Sequence, residues 1–273
     1  MTGDASADLA HWASVARDVA FEAGELLLGF QGRAAIDRKG EYDLVTAADL
    51  AAEALCRERL VAAFPGSGYV GEEGARHDLD AAWRWVVDPL DGTNNYANGI
   101  PMFCVSIALV RGSQTQVGVV HAPRLGETFV AIRGGGATCN GDPIRVSAKT
   151  RLADAIVGTG FPYDKKTNPQ NNLDHFATIV PHVRGVRRMG SAAIDLCWVA
   201  IGRLDGFWEL RLNAWDVAAG ALVVTEAGGL ITDFAGGPIG DPPRHVVAGN
   251  VSIHGELRRL LDLNPAWKDD PTP

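Results

Sequence analysis

One segment of the chain, WVVDPLDGTNNY, holds two carboxylates three positions apart. A buried-strand run delivers Asp88 to the end of a sheet, and Pro89 stiffens the turn so that Asp91 returns beside Asp88. Like charges this close repel each other unless one is protonated or a cation lies between them. Hard divalent cations with oxygen ligands are the usual solution, and the Leu90 carbonyl is placed to be a further ligand.

The two residues that follow these acids could receive phosphate. A turn at Gly92 and Thr93 that opens a short helix presents backbone N–H groups to phosphate oxygens, and the Thr93 hydroxyl can hold a water. Asp-Pro and Asp-Gly are also common turn signals, so an ordinary Asx turn explains the segment equally well. Taken alone, the segment leaves metal binding and a plain turn open.

A second acid stands at the start of the segment WDVAAGALVVTEAGG, which predicts a helix from about Asp216 to Glu226. An Asp at a helix start is usually a cap, and that explanation suffices for Asp216 by itself. It does not explain why so apolar a helix opens among Trp215, Asn213 and Glu209 just after a strand. That arrangement suits the wall of a cleft.

Two shorter acidic motifs complete the set. In GEEG, we expect Glu72 to point inward as a metal ligand and Glu73 outward, although paired glutamates between glycines are most often a solvated turn. In DLVTAAD, Thr46 could cap the following helix. Asp49 is there explained equally well as a first-turn acid that the helix dipole favours.

Helices and strands must bring these motifs together. Apolar spacing predicts helices at about Ala7–Phe30, Ala47–Phe64, Leu173–Val183, Ala192–Ile201, Asp216–Glu226 and Ile253–Leu261. Short apolar runs predict extended segments or strands at Tyr42–Thr46, RWVVD, FCVSIALV, TQVGVVHA, ETFVAI, ADAIVGTG, Asp205–Leu210, Leu230–Asp233 and His245–Ala248. The four runs from RWVVD to ETFVAI predict a largely antiparallel sheet. We expect an N-terminal α+β half over residues 1–148 with most metal ligands, a C-terminal α/β half over 149–265, and a flexible tail over 266–273.

Composition restricts the partners. The 273-residue chain is 47% hydrophobic, and 25 Lys plus Arg against 33 Asp plus Glu give a net charge of −8. This balance argues against direct nucleic-acid binding or anionic-membrane binding through a basic face. The four cysteines are far apart and predict free thiols. With neither a signal peptide nor a run of roughly 18 apolar residues, we expect a cytoplasmic protein.

The four motifs resemble those of the inositol monophosphatase family. WVVDPLDGTNNY and WDVAAGALVVTEAGG are similar to its two signatures, GEEG and DLVTAAD to its two smaller motifs, in the family's order and approximate spacing. The similarity extends over essentially the whole chain, including RRMGSAAIDLCWVAIGRLDGFWEL. It implies a mixed α/β fold, a layered α-β-α-β-α sandwich of the sugar phosphatase type, with the active site between the halves, and a homodimer.

The resemblance also implies roles for the acids. Glu72, Asp88 and the Leu90 carbonyl would bind a first Mg²⁺. Asp88, Asp91 and Asp216 would bind a second. Asp49, with Glu72, would serve a weaker third ion, so that two or three ions are expected.

On the substrate side, the resemblance implies that Thr93 orients or activates the attacking water, which makes Thr93, Asp49 and Glu72 the expected catalytic residues. Glu209 would accept hydrogen bonds from substrate hydroxyls. The full expected substrate contact set is Glu72, Leu90, Asp91, Gly92, Thr93, Gly190, Ser191, Ala192, Glu209 and Asp216. Gly190 to Ala192 could instead be merely a tight helix start, and Glu209 a solvated strand acid. One departure is Asn213, which lies where some members carry a His, and it bears on which alcohol is accepted.

The expected reaction is magnesium-dependent hydrolysis of a small sugar or polyol phosphate monoester, first of all myo-inositol 1-phosphate to inositol and phosphate. A phosphate dianion is repelled by clustered carboxylates, so divalent cations must be part of the binding site. Histidinol phosphate, fructose 1,6-bisphosphate and a phosphonucleotide remain alternative substrates within the family, and a mainly protein-binding role remains an alternative of another class. The resemblance also implies inhibition by lithium.

Overall fold

The computed structural model of the chain describes residues 5–31, 36–38, 44–240 and 242–264. Tyr42 and Asp43 of the predicted extended segment and the predicted tail 266–273 lie outside this range. In the described residues, no helix combines the length and the apolar composition that a membrane crossing requires. All four cysteines are buried and free, as expected.

Seven α-helices are present in the described part of the chain: α1 Ala5–Phe30, α2 Ala47–Ala63, α3 Thr93–Ala97, α4 Leu173–Ile179, α5 Ala192–Ala200, α6 Ala214–Glu226 and α7 Val251–Leu261. Five of the six predicted helices begin and end within two residues of these bounds. The prediction for Leu173–Val183 is wrong at its C-terminal end, where α4 gives way to a 3₁₀ turn at Val180–His182. Pro181 explains this, because it lacks the N–H that would continue the α-helix.

The strands of the described chain are β1 Ile36–Arg38, β2 Leu44–Thr46, β3 Gly68–Gly71, β4 Arg76–His77, β5 Trp83–Asp91, β6 Cys104–Arg111, β7 Gln114–Ala122, β8 Glu127–Ile132, β9 Gly136–Cys139, β10 Asp142–Pro143, β11 Ile156–Thr159, β12 Gly185–Arg187, β13 Gly206–Leu210, β14 Leu230–Thr232 and β15 His245–Gly249. The strand predictions recovered the longer members of this set. They missed the short strands β1, β4, β9, β10 and β12, whose few residues carry little periodicity.

Two sheets carry the fold, and β1 and β2 form a separate antiparallel pair. The larger sheet has the order β10-β9-β8-β7-β6-β5-β3-β4, and it is antiparallel except where β3 lies parallel to β5. The prediction of a largely antiparallel first sheet is therefore confirmed. The second sheet has the order β12-β11-β13-β15-β14, in which β11 is parallel to both of its neighbours.

The elements stack in five layers, α-β-α-β-α. Helices α1 and α2 cover one face of the larger sheet, α5 and α6 lie between the two sheets, and α4 and α7 cover the far face of the second sheet. Three clusters of buried apolar side chains fill the spaces between these layers. The layered sandwich predicted from the resemblance is thus the observed architecture.

The position of each helix follows from its pattern of apolar residues. On α1, Ala16, Ala20, Ala23 and Leu27 recur at helical spacing and are fully buried, while the opposite face is polar. Helix α5 is apolar on nearly all sides, as expected for a helix covered by sheets on two faces. Because α5 and α6 are central, their N-termini can reach residues from both halves of the chain.

Candidate active site

A cleft of about 300 Å³ opens between the larger sheet and the N-termini of α5 and α6. Every site residue predicted from the sequence, except Asp49, lines it. Those lining residues are Glu72, Asp88, Leu90, Asp91, Gly92, Thr93, Gly190, Ser191, Ala192, Glu209 and Asp216. Segments distant in sequence thus meet at one place.

The end of β5 positions the first pair of acids. The pairing of β5 with β6 shifts register between Asp88 and Asp91, and the Asp88 Oδ1 accepts a hydrogen bond of 2.9 Å from the Leu90 N–H. The Asx turn considered above is therefore present, and it coexists with the clustering of the acids. Gly92 follows with φ of +96°, a left-handed conformation that favours glycine, and a Cβ there would lie 2.7 Å from the Met102 carbonyl oxygen.

Asp91 is anchored to the N-terminus of α5. Its Oδ2 accepts hydrogen bonds from the Ser191 hydroxyl at 2.7 Å and from the Ala193 N–H at 2.8 Å. Burial raises the pKa of Asp91, whereas these donors oppose the increase because they stabilise the carboxylate. The two contacts fix the orientation of an acid from the first half against a helix of the second.

Asp216 both caps a helix and faces the other acids of the cleft. It is the third residue of α6, and its Oδ2 accepts a hydrogen bond of 2.7 Å from the Asn213 N–H, so the capping explanation is correct as far as it goes. The residue also faces the other acids. Burial, and then the negative charge of Asp91, raise the pKa of Asp216 to about 7, against the opposing hydrogen bonds from Asn213.

Asp88 lies at the centre of the acidic cluster. Burial raises its pKa well above the usual range, and the charges of Glu72, Asp91 and Asp216 raise it further. Glu72 lines the cleft as predicted, but the expected contrast with Glu73 is weak, since both side chains are half-buried. The four acids therefore interact electrostatically in one partly buried region of the cleft.

Thr93 connects the cleft to Asp49. Its Oγ1 lies 3.2 Å from the Asp49 Oδ1 and 3.1 Å from the Leu90 carbonyl oxygen. One hydroxyl proton serves only one of these acceptors at a time. Asp49 is 1% exposed and does not line the cleft, so it acts on the site from behind Thr93.

The opposite wall carries the side chain expected to contact the alcohol. Burial raises the pKa of Glu209 to about 8, helped by the charges of Asp216 and Asp91 and opposed by Arg188. Gly160 of the neighbouring segment leaves room for this carboxyl, because a Cβ at that position would lie 1.8 Å from the Glu209 Oε1. Glu209 is thus a half-buried acid that lines the cleft, and not the solvated strand acid considered above.

Sequence reasoning missed part of the rim. Arg188, Arg211 and the segment Phe161–Asp164 also line the cleft, and the Arg211 guanidinium pairs with the Asp164 Oδ2 at 3.3 Å. Arg188 belongs to the quoted segment RRMGSAAIDLC and could have been found there. The Arg211–Asp164 pair has no signal in the sequence, because its two residues belong to separate loops.

The donor set of the cleft fits Mg²⁺. It consists of carboxylate and carbonyl oxygens, which are the ligands of hard divalent cations, and a cation would offset the mutual repulsion of the acids. In the part of the chain that the structure describes, no three acidic, histidine or cysteine side chains have their ligand atoms arranged to hold a metal ion as they stand. The chemistry of the donors therefore supports metal binding, and the ligand assignment belongs to the proposal below.

Comparison with known proteins places the chain in a family. Residues 8–264 match the model of the inositol monophosphatase family. The inositol-1-monophosphatase of Rhizobium meliloti is 45% identical over 227 residues, covering 83% of this chain and 85% of that protein. The Nus factor SuhB of Pseudomonas aeruginosa is 42% identical, covering 93% and 98%. The structure of inositol monophosphatase from Anabaena (Nostoc) has a TM-score of 0.87 at 39% identity, covering 94% and 97%.

The fold and the cleft, taken with these relatives, define a phosphoric monoester hydrolase. The chain belongs to the inositol monophosphatase family, whose members are metal-dependent, usually through Mg²⁺. The resemblance recognised in the four motifs is therefore confirmed.

Proposed function

We propose that this protein hydrolyses a small phosphorylated polyol, with myo-inositol 1-phosphate as the first substrate to test, using two or three Mg²⁺ ions in the cleft. The observation that carries the proposal is the meeting of Glu72, Asp88, Asp91 and Asp216 in one cleft. Because these four acids come from three separate segments, their convergence is a property of the whole fold. It would place negative oxygen ligands where an anionic ester must be bound.

In this proposal the acids divide into overlapping ligand sets. Glu72, Asp88 and the Leu90 carbonyl would hold one ion, Asp88, Asp91 and Asp216 would hold a second, and Glu72, with Asp49 behind Thr93, would serve a third. Bound Mg²⁺ would supply charge neutralisation of the ester, a lowered pKa for an attacking water and stabilisation of the departing alkoxide. The hydrogen bonds at Asp91 and Asp216 hold one oxygen of each carboxylate in place, which orients the other.

Neighbouring groups complete the proposed mechanism. Thr93, with Asp49 behind it, orients the attacking water, and the N–H groups of Gly92 and Thr93 receive phosphate oxygens. Glu209 accepts hydrogen bonds from the substrate hydroxyls across the cleft, and Gly190 to Ala192 form the adjoining wall. The 45% identity to the inositol-1-monophosphatase of Rhizobium meliloti supports inositol 1-phosphate over the other esters of the family. We further propose a homodimer, as the family resemblance implies.

A substitution that keeps the local hydrogen bonds tests the proposal. Asp91→Asn retains one oxygen that can accept from Ser191 and Ala193, so the variant should fold, yet it should lose most turnover of inositol 1-phosphate in Mg²⁺. The matched control is Asp142→Asn, which makes the same change at an exposed Asp that does not line the cleft. Hydrolysis by Asp91→Asn at the wild-type rate would refute the assignment.

The substrate requires a separate measurement. A panel of inositol 1-phosphate, histidinol phosphate, fructose 1,6-bisphosphate and a phosphonucleotide, compared by kcat/KM with and without Mg²⁺, ranks the candidates. The proposal expects the highest kcat/KM for inositol 1-phosphate. A higher value for another ester would transfer the same chemistry to that substrate.

A second candidate function is the binding of a protein partner. The observation that favours it is the 42% identity to a protein named Nus factor SuhB, over 93% of this chain. The Asp91→Asn variant separates the two functions, because it should abolish turnover without altering the exposed surface. If this variant restored the normal phenotype of cells that lack the gene for this protein, partner binding would be the main function.

A further inference from the structure

One buried acid beside the cleft has no part in the mechanism above. Glu53 lies on α2 and is 4% exposed, whereas Glu58 on the same helix is exposed. A buried carboxylate is costly unless its oxygens are hydrogen-bonded, so the partners of Glu53 should reveal what it does.

Both oxygens of Glu53 accept backbone hydrogen bonds from a single turn. The Glu73 N–H donates to Oε2 at 2.7 Å, and the Ala75 N–H donates to Oε1 at 2.7 Å. The turn over residues 71–75 is the one that carries Glu72 into the cleft. Glu53 therefore holds the backbone on the C-terminal side of Glu72 from a separate, rigid helix.

The turn is built to receive this carboxylate. A Cβ at Gly71 would lie 2.2 Å from the Glu53 Oε2, so any larger residue would displace the acid. On the other side, the Glu72 N–H donates to the Val87 carbonyl at 3.2 Å. The backbone of residues 72–75 is thus fixed by β5 on one side and by Glu53 on the other.

A positive charge joins the same turn to the second half of the chain. The Arg76 guanidinium donates to the Gly71 carbonyl and lies 5.7 Å from the centre of the Trp215 ring. Trp215 directly precedes Asp216. The turn that carries Glu72 and the helix start that carries Asp216 are therefore mechanically connected outside the cleft.

We propose that Glu53 is a positioning residue, which fixes the turn of residues 71–75 so that Glu72 can contribute to binding of a divalent cation. This inference rests on the proposed function, because it takes Glu72 as a metal ligand. Glu53 itself does not touch the cleft. Replacing Glu53 should therefore weaken the affinity for Mg²⁺ more than it lowers kcat at saturating Mg²⁺.

Glu53→Gln tests the proposal with little change of volume. The amide keeps one acceptor oxygen but turns its NH₂ group toward a backbone N–H, so one of the two hydrogen bonds is lost. We expect the dissociation constant for Mg²⁺, measured by titration calorimetry on the folded protein, to rise about tenfold, as is typical for loss of an outer support of a ligand. The kcat at saturating Mg²⁺ should change by less than about twofold. Hydrogen exchange at the Glu73 and Ala75 amides should accelerate.

Glu58→Gln is the matched control, because it makes the same chemical change at an exposed site of α2. A purely structural role for Glu53 would lower the melting temperature of Glu53→Gln and leave the Mg²⁺ dissociation constant of the folded variant unchanged. That result would overturn the inference. If Glu53→Gln does not fold, the same comparison on Glu53→Asp decides, since the shorter acid keeps the charge but withdraws from the turn.

The outcomes separate this inference from the proposed function. Wild-type protein that binds no Mg²⁺ would refute both. Wild-type protein that binds Mg²⁺ and hydrolyses the ester, with unchanged affinity in Glu53→Gln, would refute the positioning role alone.

Discussion

Asn172 is a buried side chain in the second half of the chain whose removal should lower the stability strongly. It is 2% exposed and precedes α4. Its Nδ2 donates to the Thr159 Oγ1 at 2.9 Å and to the Gly160 carbonyl at 2.6 Å, and its Oδ1 accepts from the Trp208 Nε1 at 2.8 Å. One amide thus joins α4 to the adjacent strands β11 and β13, and β13 carries Glu209.

Asn172→Ala breaks all three hydrogen bonds. Trp208 is fully buried, so its indole N–H loses its partner away from water, at a cost of about 1–3 kcal/mol. The Thr159 hydroxyl keeps its bond to the Trp208 carbonyl, but it and the Gly160 carbonyl each lose one hydrogen bond from Asn172, worth about 0.5–1.5 kcal/mol apiece. Asn172 also has φ of +70°, a conformation that costs Ala about 1–2 kcal/mol. We expect a loss of roughly 3–6 kcal/mol in the free energy of unfolding, a large part of the ~5–15 kcal/mol of a typical protein.

The assay is denaturant unfolding followed by circular dichroism, which avoids dependence on tryptophan fluorescence. Asn172→Gly is the companion variant, because it removes the same side chain without the penalty of a positive φ. A double-mutant cycle of Asn172→Gly with Trp208→Phe isolates the bond to the indole, and we expect a coupling energy of about 1–2 kcal/mol. Additivity of the two changes within about 0.5 kcal/mol, or a loss below about 1 kcal/mol for Asn172→Ala, would refute the reasoning.

Three further predictions concern pH, the anchoring of Asp91 and the alcohol pocket. Burial lowers the pKa of His121 to about 4, so the stability it contributes is present above its unfolded pKa near 6.5 and is lost as the pH falls toward 4. Unfolding free energies at pH 7.5 and pH 5 should therefore differ less in His121→Gln than in wild type, by an amount on the order of 1 kcal/mol; equal differences would contradict this. Ser191→Ala removes a buried donor to Asp91 and the cap of α5, and it should cost about 2 kcal/mol, measured by denaturant titration against the exposed control Ser113→Ala. Gly160→Ala should displace the Glu209 carboxyl and raise KM for inositol 1-phosphate about tenfold while kcat changes little. An unchanged KM would show that Glu209 does not contact the alcohol of the substrate.

Local features of the chain were predictable because their causes act over a few residues. The turn at Asp88, the left-handed Gly92 and the start of α3 follow from the types of adjacent residues. Helical periodicity located α1, α2, α5 and α7 in the same way, and it failed in α4 only where Pro181 interrupts the pattern. The four motifs, taken together, were sufficient to identify the family.

Packing between distant segments decided the rest. The contacts of Glu53 with the turn of residues 71–75, the bond from Trp208 to Asn172, and the ion pair of Arg211 with Asp164 each join residues 20 or more positions apart. Propensity and periodicity describe a residue and its neighbours within one or two turns, so they carry no information about which layer a side chain will meet. The types and order of the residues were enough to predict which groups bind a cation and a phosphate. Which buried side chains hold those groups in place depends on how the helices and sheets stack, because those contacts join distant parts of the chain.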